Sequence, residues 1–366
     1  MRILIDARKA FDTGIGTYIR GVLPRVVPRL PGIDFAVLVE PGGAARHRYL
    51  EGVQVDLIET AALPFSLHEQ AALRRVARRA DFFWATSLAH PVYGGTPLIA
   101  TVHDVVQLAT GLPAGQGPFV RAAARLYLDS LRRTARLLLF NSGFTRAEFE
   151  RRVGPSRGNI QVTPLGVEPT WFDVASTGVP SPHPSLLWIG SARPHKNLRR
   201  LLQAFAAVKD RLPHDLLLVG MAEGDPPADA VTRALLTGLG SRVRLVGVLS
   251  DAGLHAAMAG ADALVVPSLY EGFGLPALEA MAARVPVIAA RAASLPEVCG
   301  PCARYFDPTS VESLSSQLIA HAAMSQDERH RRVGDGLTRA RMFTWDETAR
   351  LTAQAVASLA AGGGRR

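Results

Sequence analysis

Lysine is nearly missing from this chain. Of its 41 basic residues only Lys9, Lys196 and Lys209 are lysines; the rest are arginine. With so much alanine beside it, this is the usage of a GC-rich genome, so the arginine excess alone says little about function. It does make each retained lysine worth a question. Long apolar runs are missing too. No stretch approaches the roughly 20 residues needed to cross a bilayer as a helix. The N-terminus, Met1-Arg2-Ile3-Leu4-Ile5-Asp6, reads as a strand entering a fold, too short and too early in charge for a signal peptide. The expectation is a cytosolic protein.

Cysteine is the scarcest reactive group. Cys299 and Cys302 stand alone, spaced Cys-Gly-Pro-Cys. The string looks like a thioredoxin redox motif, which follows a strand and opens a helix. Here it lies between Leu295-Pro296-Glu297-Val298 and a short strand near Tyr305, so the reading is coincidence. Two cysteines also cannot complete a structural zinc site without other ligands. Charge is less restrictive. A formal net charge of +9 suits nucleic acid, an anionic membrane face or phosphorylated substrates, and equally suits plain solubility. Hydrophobic residues at 48% and charged residues at 20% exclude wholesale disorder.

The length of 366 residues allows about two domains at roughly 100–200 residues each. Short apolar runs alternate with helical patterns. Strands are expected at Arg2–Ala7, Phe35–Val39, Asp81–Thr86, Leu98–Val102, Ala135–Asn141 and Asn159–Val162. Basic helices are expected at Leu67–Arg79 and Phe119–Thr134, and a third helix from about Thr145. Prolines 164, 169, 180, 182 and 184 then crowd a stretch that cannot be regular, because proline removes a backbone donor and fixes φ. A second series of strands and helices follows from Ser185, and helices at Val311–Ala323 and Thr344–Ala360 end it. The pattern predicts an α/β chain of two doubly wound, Rossmann-like domains: residues 1–170, a proline-rich linker at 171–184, and residues 185–345. Such sheets bind ligands beyond the carboxyl ends of their strands, and two facing sheets make an interdomain cleft.

The most informative segment runs from Val265 to Met281. A buried strand ends at Pro267, and Glu271-Gly272-Phe273-Gly274-Leu275 forms a loop before Pro276, where proline favours a helix start. The glycines let backbone approach a ligand, and the helix end supplies N–H groups for a diphosphate. Glu271 and Glu279 can both reach that ligand, each accepting several hydroxyl hydrogen bonds. The plainer alternative leaves Glu271 solvated and Glu279 as a helix-dipole partner. A second segment, Gly190-Ser191-Ala192-Arg193-Pro194-His195-Lys196-Asn197, sets Arg193 and Lys196 around a turn, where two cations can neutralise a departing diphosphate. Gly14 and Gly16, in Asp12-Thr13-Gly14-Ile15-Gly16-Thr17-Tyr18, form a weak Gly-x-Gly loop without the third glycine or acidic ribose partner of a dinucleotide site. His103 and Asp104 close the strand Leu98–Val102. His103 could bind a sugar hydroxyl, position a donor or move a proton, or simply complete the hydrogen bonds of the strand end.

Taken in order, these segments resemble the retaining GT-B glycosyltransferases, and glycosyltransferase family 4 in particular. Glu271 and Glu279 match its Glu-x7-Glu motif. Leu295-Pro296-Glu297-Val298-Cys299-Gly300 is similar to its Ser-Leu-Pro-Glu-Val-x-Gly segment, and Thr101-Val102-His103-Asp104 to its Thr-Ile-His-Asp. One departure is Arg284, where the family has glycine before the next strand. The resemblance spans nearly the whole chain. It implies a GT-B fold with an N-terminal acceptor domain, a C-terminal nucleotide-sugar domain, and the last helix, at 346–366, packing back on the N-terminal domain. It also implies roles. Arg193 and Lys196 take the diphosphate and Glu279 the ribose. Glu271 with the backbone of Gly272, Phe273, Gly274 and Leu275 holds the sugar, His103 lies beside it, and Gly14, Gly16 and Gly190 approach the donor. Departure and attack would share one face of the sugar, the leaving phosphate oxygen helping to accept the acceptor's proton. No Asp-x-Asp cluster appears, so no metal and no cofactor is expected beyond the donor.

The expected reaction moves a hexose from a nucleoside diphosphate sugar to a hydroxyl of a glycan or lipid-linked acceptor, as in bacterial polysaccharide assembly. Mannose from GDP-mannose is preferred because the motif variants resemble polysaccharide mannosyltransferases. The arginines at 74, 75, 78 and 79 and at 121, 125, 132, 133 and 136 suggest peripheral docking at the anionic inner leaflet, against a merely solvated face. Without interleaved aromatics they do not mark a nucleic-acid groove. The rivals are a nucleotide-sugar epimerase or phosphorylase, an inactive sugar-nucleotide binder and, more remotely, a nicotinamide dehydrogenase.

Overall fold

The structure, a computed structural model, describes residues 1–12, 14–42, 44–61, 66–93, 95–109, 117–174, 184–221 and 229–362. The described residues form two compact units, residues 1–109, 117–166 and 343–362 in the first, and residues 167–342 in the second.

The first unit is a parallel sheet in the order β3-β2-β1-β4-β5-β6-β7. Its strands are β1 (Arg2–Asp6), β2 (Asp34–Val39), β3 (Asp56–Glu59), β4 (Phe82–Ala85), β5 (Leu98–Val102), β6 (Ala135–Phe140) and β7 (Asn159–Val162). The central strands bury both faces, which is why they read as unbroken apolar runs. Edge strand β3 escapes the sequence pattern because its Asp-Leu-Ile-Glu carries no buried residue. The connecting helices are α1 (Gly14–Val26), α2 (Leu67–Ala77), α3 (Pro118–Thr134) and α4 (Gly143–Arg152). Ser66 and Ser142 cap α2 and α4 by accepting the N–H of Glu69 and Thr145, each at 3.0 Å. The Gly-x-Gly segment differs from the expected loop: Gly14 and Gly16 make the first turn of α1. A Cβ on Gly16 would lie 2.6 Å from the Ala10 carbonyl oxygen, so the second glycine is needed for close packing there.

The second unit begins with the short α5 (Thr170–Asp173), whose Trp171 is buried. The expected linker is therefore helical over its first residues and belongs to the second unit; residues 175–183 lie outside the described ones. Its parallel sheet has the order β10-β9-β8-β11-β12-β13. The strands are β8 (Ser185–Ile189), β9 (Asp215–Val219), β10 (Val243–Gly247), β11 (Ala263–Val266), β12 (Val287–Ala290) and β13 (Arg304–Phe306). Around them lie α6 (Leu198–Val208), α7 (Ala230–Leu239), α8 (Asp251–Ala259), α9 (Leu275–Ala282), α10 (Leu295–Cys299), α11 (Val311–Ala322) and α12 (Gln326–Arg341). Helix α12 has no apolar stripe for sequence reading to find, since only Gly336 and Ala340 are buried in it. Its termini were nonetheless marked: Ser325 caps it, Asp327 and Glu328 open it, and Arg339 and Arg341 close it. At the start of β11, Asp262 ties the unit together. Its Oδ2 accepts from His214 Nε2 at 2.8 Å and His321 Nε2 at 2.7 Å, and its Oδ1 from Arg329 at 2.6 Å. Burial alone would raise this carboxyl, but the two histidine hydrogen bonds and the arginine hold it well below its ordinary value.

The chain then returns to the first unit. Helix α13 (Trp345–Gly362) packs on α1, with Trp345 buried 6.5 Å from the Tyr18 ring.

The Arg284 departure has a backbone explanation. It follows α9 in the left-handed region at φ 61°, while Val285 N–H reaches back to the Ala280 carbonyl at 2.8 Å. This helix ending favours glycine at the left-handed residue. Exchanging Arg284 for glycine removes about 1 kcal/mol of left-handed strain. It also loses one exposed hydrogen bond, from Arg284 Nη1 to Phe172 O at 2.9 Å. R284G is expected to gain roughly 0.5–1 kcal/mol in urea unfolding; an unchanged or lower midpoint would refute the strain argument.

Candidate active site

The site builds from two chain segments that leave neighbouring strands of the second sheet. After β8 the chain passes Gly190 and exposed Arg193 and turns through Pro194-His195-Lys196. Asn197 follows at φ 56° and starts α6. After β11 it passes Pro267 and Ser268 and loops through Glu271 to Gly274. Two hydrogen bonds clamp these segments side by side. Leu269 N–H donates to His195 O at 2.8 Å, and Asn197 Nδ2 donates to Pro267 O at 2.9 Å. The same amide also reaches Pro308 O at 2.9 Å, fixing the loop after β13.

That clamp brings Lys196 and Glu271 together. Lys196 Nζ lies 2.7 Å from Glu271 Oε1, and Ser268 Oγ donates to the same oxygen at 2.6 Å. Both charged side chains are mostly buried, at 22% and 13% exposure. Oε1 thus carries two protein donors while Oε2 has none among the described residues, and Lys196 keeps two donor positions for an anion. Arg193 forms no ion pair or side-chain hydrogen bond among the described residues. His195 lies between the two cations; burial first, and then Lys196, lowers it to about 4, so it is neutral at pH 7.

The loop backbone is held from below. The single O–H of buried Ser294 is shared between the carbonyls of Glu271 at 2.9 Å and Phe273 at 2.8 Å. Gly274 then caps α9 at φ 98°, a conformation that glycine adopts freely. A Cβ there would also meet Leu295 at 2.8 Å. Leu275 and Pro276 start the helix, and Glu279 follows one turn on. The partly buried Glu279 carboxyl has no hydrogen-bonding or ionic partner among the described residues. Burial, reinforced by the charges of Asp251 and Glu168, pushes it up to about 7.

Of the residues singled out in the sequence, Arg193, Lys196, Glu271 and Glu279 all lie in this unit; the supporting residues Ser268, Ser294 and Asn197 were not among them. Small polar side chains carry no such signal alone; each matters through hydrogen bonds that only the fold shows. The cysteines follow expectation. Cys299 ends α10 instead of opening a helix, and burial pushes its thiol up to about 12.

His103 belongs to the first unit, beyond β5. Its Nε2 donates to Thr86 O at 3.0 Å, which leaves Nδ1 as an acceptor. Burial lowers it to about 4, so the ring is neutral. The Tyr18 ring meets it edge-on at 4.8 Å, and Tyr18 is fixed in turn through Thr101 at 2.9 Å. Asp104 Oδ1 caps the next turn at Val106 N–H, 3.0 Å away. Gly14 and Gly16 lie in the same unit.

A diphosphate that must be held and then leave calls for fixed cations and helix-end N–H groups at strand carboxyl ends. The second unit offers these, so the class is a nucleotide-dependent transferase built on two parallel α/β units. Comparison with known proteins makes it specific. Residues 14–171 match the family described as Glycosyltransferase Family 4, and residues 183–323 match Glycosyl transferases group 1. The chain is 32% identical to the MMP alpha-(1->4)-mannosyltransferase of Mycolicibacterium hassiacum, over 92% of this chain and 86% of that one. It is 32% identical to O-antigen chain mannosyltransferase B of Escherichia coli, over 58% of each. Among solved structures, sucrose-phosphate synthase of Thermosynechococcus elongatus superposes with a TM-score of 0.75. That match has 20% identity, covers 99% of this chain and 100% of that one, and shows the shared fold. The chain belongs to glycosyltransferase family 4 and has the GT-B fold. It is a glycosyltransferase that moves a hexose from a nucleotide sugar.

Proposed function

We propose that the enzyme transfers mannose from GDP-mannose, with retention, to a hydroxyl of a glycan or lipid-linked acceptor in cell-surface polysaccharide or glycoconjugate assembly. The observation that carries the reading is the carboxylate of Glu271. Lys196 and Ser268 hold its Oε1, and Oε2 is left to accept from a sugar hydroxyl. Lys196, Arg193 and the start of α9 take the diphosphate, with Gly190 and the backbone from Gly272 to Leu275 close to the donor. Glu279 accepts from the ribose. His103, through Nδ1, is assigned to the donor sugar, and Gly14 and Gly16 to the donor, as the family resemblance implies. The leaving phosphate oxygen takes the acceptor's proton on the face it departs from. No cofactor or metal is assigned. Mannose rests on the names of the two relatives, each a mannosyltransferase.

Docking at an anionic leaflet fits the first unit's surface. The arginines at 74, 75, 78 and 79 of α2 and its turn are exposed, as are Leu67 and Phe119 at 90% and 89%. Among the described residues no helix is long and apolar enough to cross a membrane.

A panel of nucleoside diphosphates tests the donor. GDP is expected to raise the melting temperature most, by mass action on the folded state. GDP-mannose should be the donor hydrolysed or transferred, with the product's anomeric configuration, read by NMR, retained. Interconversion of two nucleotide sugars would establish an epimerase. Tight binding without turnover would establish an inactive relative. A larger shift with UDP would remove GDP-mannose.

A further inference from the structure

Arg136 stands on β6, just beyond the basic helix α3, and there it belongs to a cavity. This cavity, of about 320 Å³, opens at the amino ends of β5 and β6 in the first unit, where Leu98 and Ala135 begin the strands. Arg133, Arg136 and Arg157 line it together with Thr96 and Thr134, and no acidic side chain does. Arg133 is half-neutralised by Asp129 at 2.5 Å, which also binds Arg132 at 2.9 Å. Arg136 and Arg157 have no ion pair or side-chain hydrogen bond among the described residues.

Like charges gathered around a concavity repel one another, so chain geometry has to hold them there. Two constraints do so. A Cβ on Gly158 would fall 2.2 Å from the Ala135 carbonyl oxygen, so only glycine lets residues 157–158 lie against β6. Arg157 N–H also donates to Arg132 O at 3.2 Å. The facing wall is fixed by Gln70, whose Oε1 accepts Val92 N–H at 2.9 Å and whose Nε2 donates to His90 O at 3.0 Å. The walls are thus braced while the guanidinium groups keep free donors. Forked guanidinium donors match phosphate oxygens in pairs.

We propose that this cavity binds a phosphomonoester group, at a site separate from the donor's. It lies at the opposite end of β5 from His103, five residues or roughly 15 Å along the strand. Its volume falls in the range of small-molecule sites, at roughly 300–1,000 Å³, and admits a hexose phosphate. The same phosphate chemistry could come from a soluble sugar phosphate or from a lipid headgroup.

The test uses the full chain carrying R193A and K196A, so that anion binding at the donor site is silent. Glucose 6-phosphate is titrated calorimetrically. Vesicles of phosphatidylcholine with phosphatidic acid are assayed by co-sedimentation against phosphatidylcholine alone. Adding R136A and R157A is expected to weaken one or both by at least tenfold, with far-UV circular dichroism unchanged. A loss confined to glucose 6-phosphate assigns a soluble ligand, and one confined to vesicles assigns a lipid headgroup. R136K with R157K, which keeps charge but loses the paired geometry, is expected to lie between. In the otherwise native enzyme, R136A with R157A should leave hydrolysis of the soluble donor unchanged. Equal binding by both proteins in both assays, or none by either, overturns the proposal.

Discussion

Replacing Lys196 by alanine is expected to lower kcat/KM with the best donor by about 10³-fold, or ~4 kcal/mol of transition-state stabilisation. Two effects act in the same direction. On the proposed assignment, the substitution removes a fixed cation from the diphosphate at the moment its leaving oxygen gains charge. It also strips Glu271 of the ammonium at 2.7 Å, leaving a carboxylate of 13% exposure held by Ser268 alone beside an anionic ligand. Truncating one partner of a mostly buried charge pair exposes the cost of the other. Lys196→Arg is no conservative replacement, because a planar fork cannot take Glu271 and a phosphate from the position of one ammonium. Glu271→Ala should instead spare nucleoside diphosphate binding while turnover fails, since it frees Lys196 for the phosphates. Because the residues touch, the double variant should lose less than the sum of the two losses. Steady-state kinetics on folded variants decides; K196A within tenfold of wild type would remove Lys196 from the diphosphate.

Both sheets were legible in the sequence where strands are buried on two faces, as at Ile3–Ile5 or Leu137–Phe140. They were not legible at β3, which buries nothing, or at α12, where polar residues cover nearly the whole helix. The site divides along a similar line. Glu271, Glu279, Arg193 and Lys196 stood out because charge beside glycine at a strand end is unusual in a packed fold. Ser268, Ser294 and Asn197 are ordinary residues, and only the folded loops give each its partner. Gly14 and Gly16 read as a loop but open a helix, because glycine signals both turns and close packing; at Gly16 the need is space beside Ala10. Arg284 ran the other way. A missing glycine looked like a neutral departure, and the backbone kept the glycine conformation regardless.

Glu279→Gln is expected to separate stability from function, with pH as the lever. The carboxyl rises from 4.5 in an ordinary setting to about 7 in the folded chain. Below pH 4.5 both states hold the proton and the group contributes nothing. As pH rises from 4.5 to 7 the unfolded chain releases its proton first, so the folded state loses stability across that window. Above pH 7 the loss is complete, at about 2–3 kcal/mol for this partly buried group. Glutamine keeps the shape and discards the charge. E279Q should therefore be more stable than wild type by about that amount at pH 8 and nearly equal at pH 4. Donor binding should respond in the opposite sense. A ribose diol donates best to an ionised carboxylate, and a hydrogen bond to a charged group contributes roughly 1.5–3 kcal/mol. Wild-type affinity for the nucleotide sugar should then climb as pH rises toward 7 and level off above it, and E279Q should bind about 10–100-fold more weakly at pH 8 with a flat profile. In the same unit His195, near 4, stays neutral throughout, and a diphosphate diester has no proton to lose there. Chemical denaturation and calorimetric titration across pH 5 to 8.5 read the two effects independently. A glutamine variant that binds the donor as tightly as wild type would place the ribose elsewhere. One that gains no stability at pH 8 would mean that the unliganded carboxyl bears no burial cost.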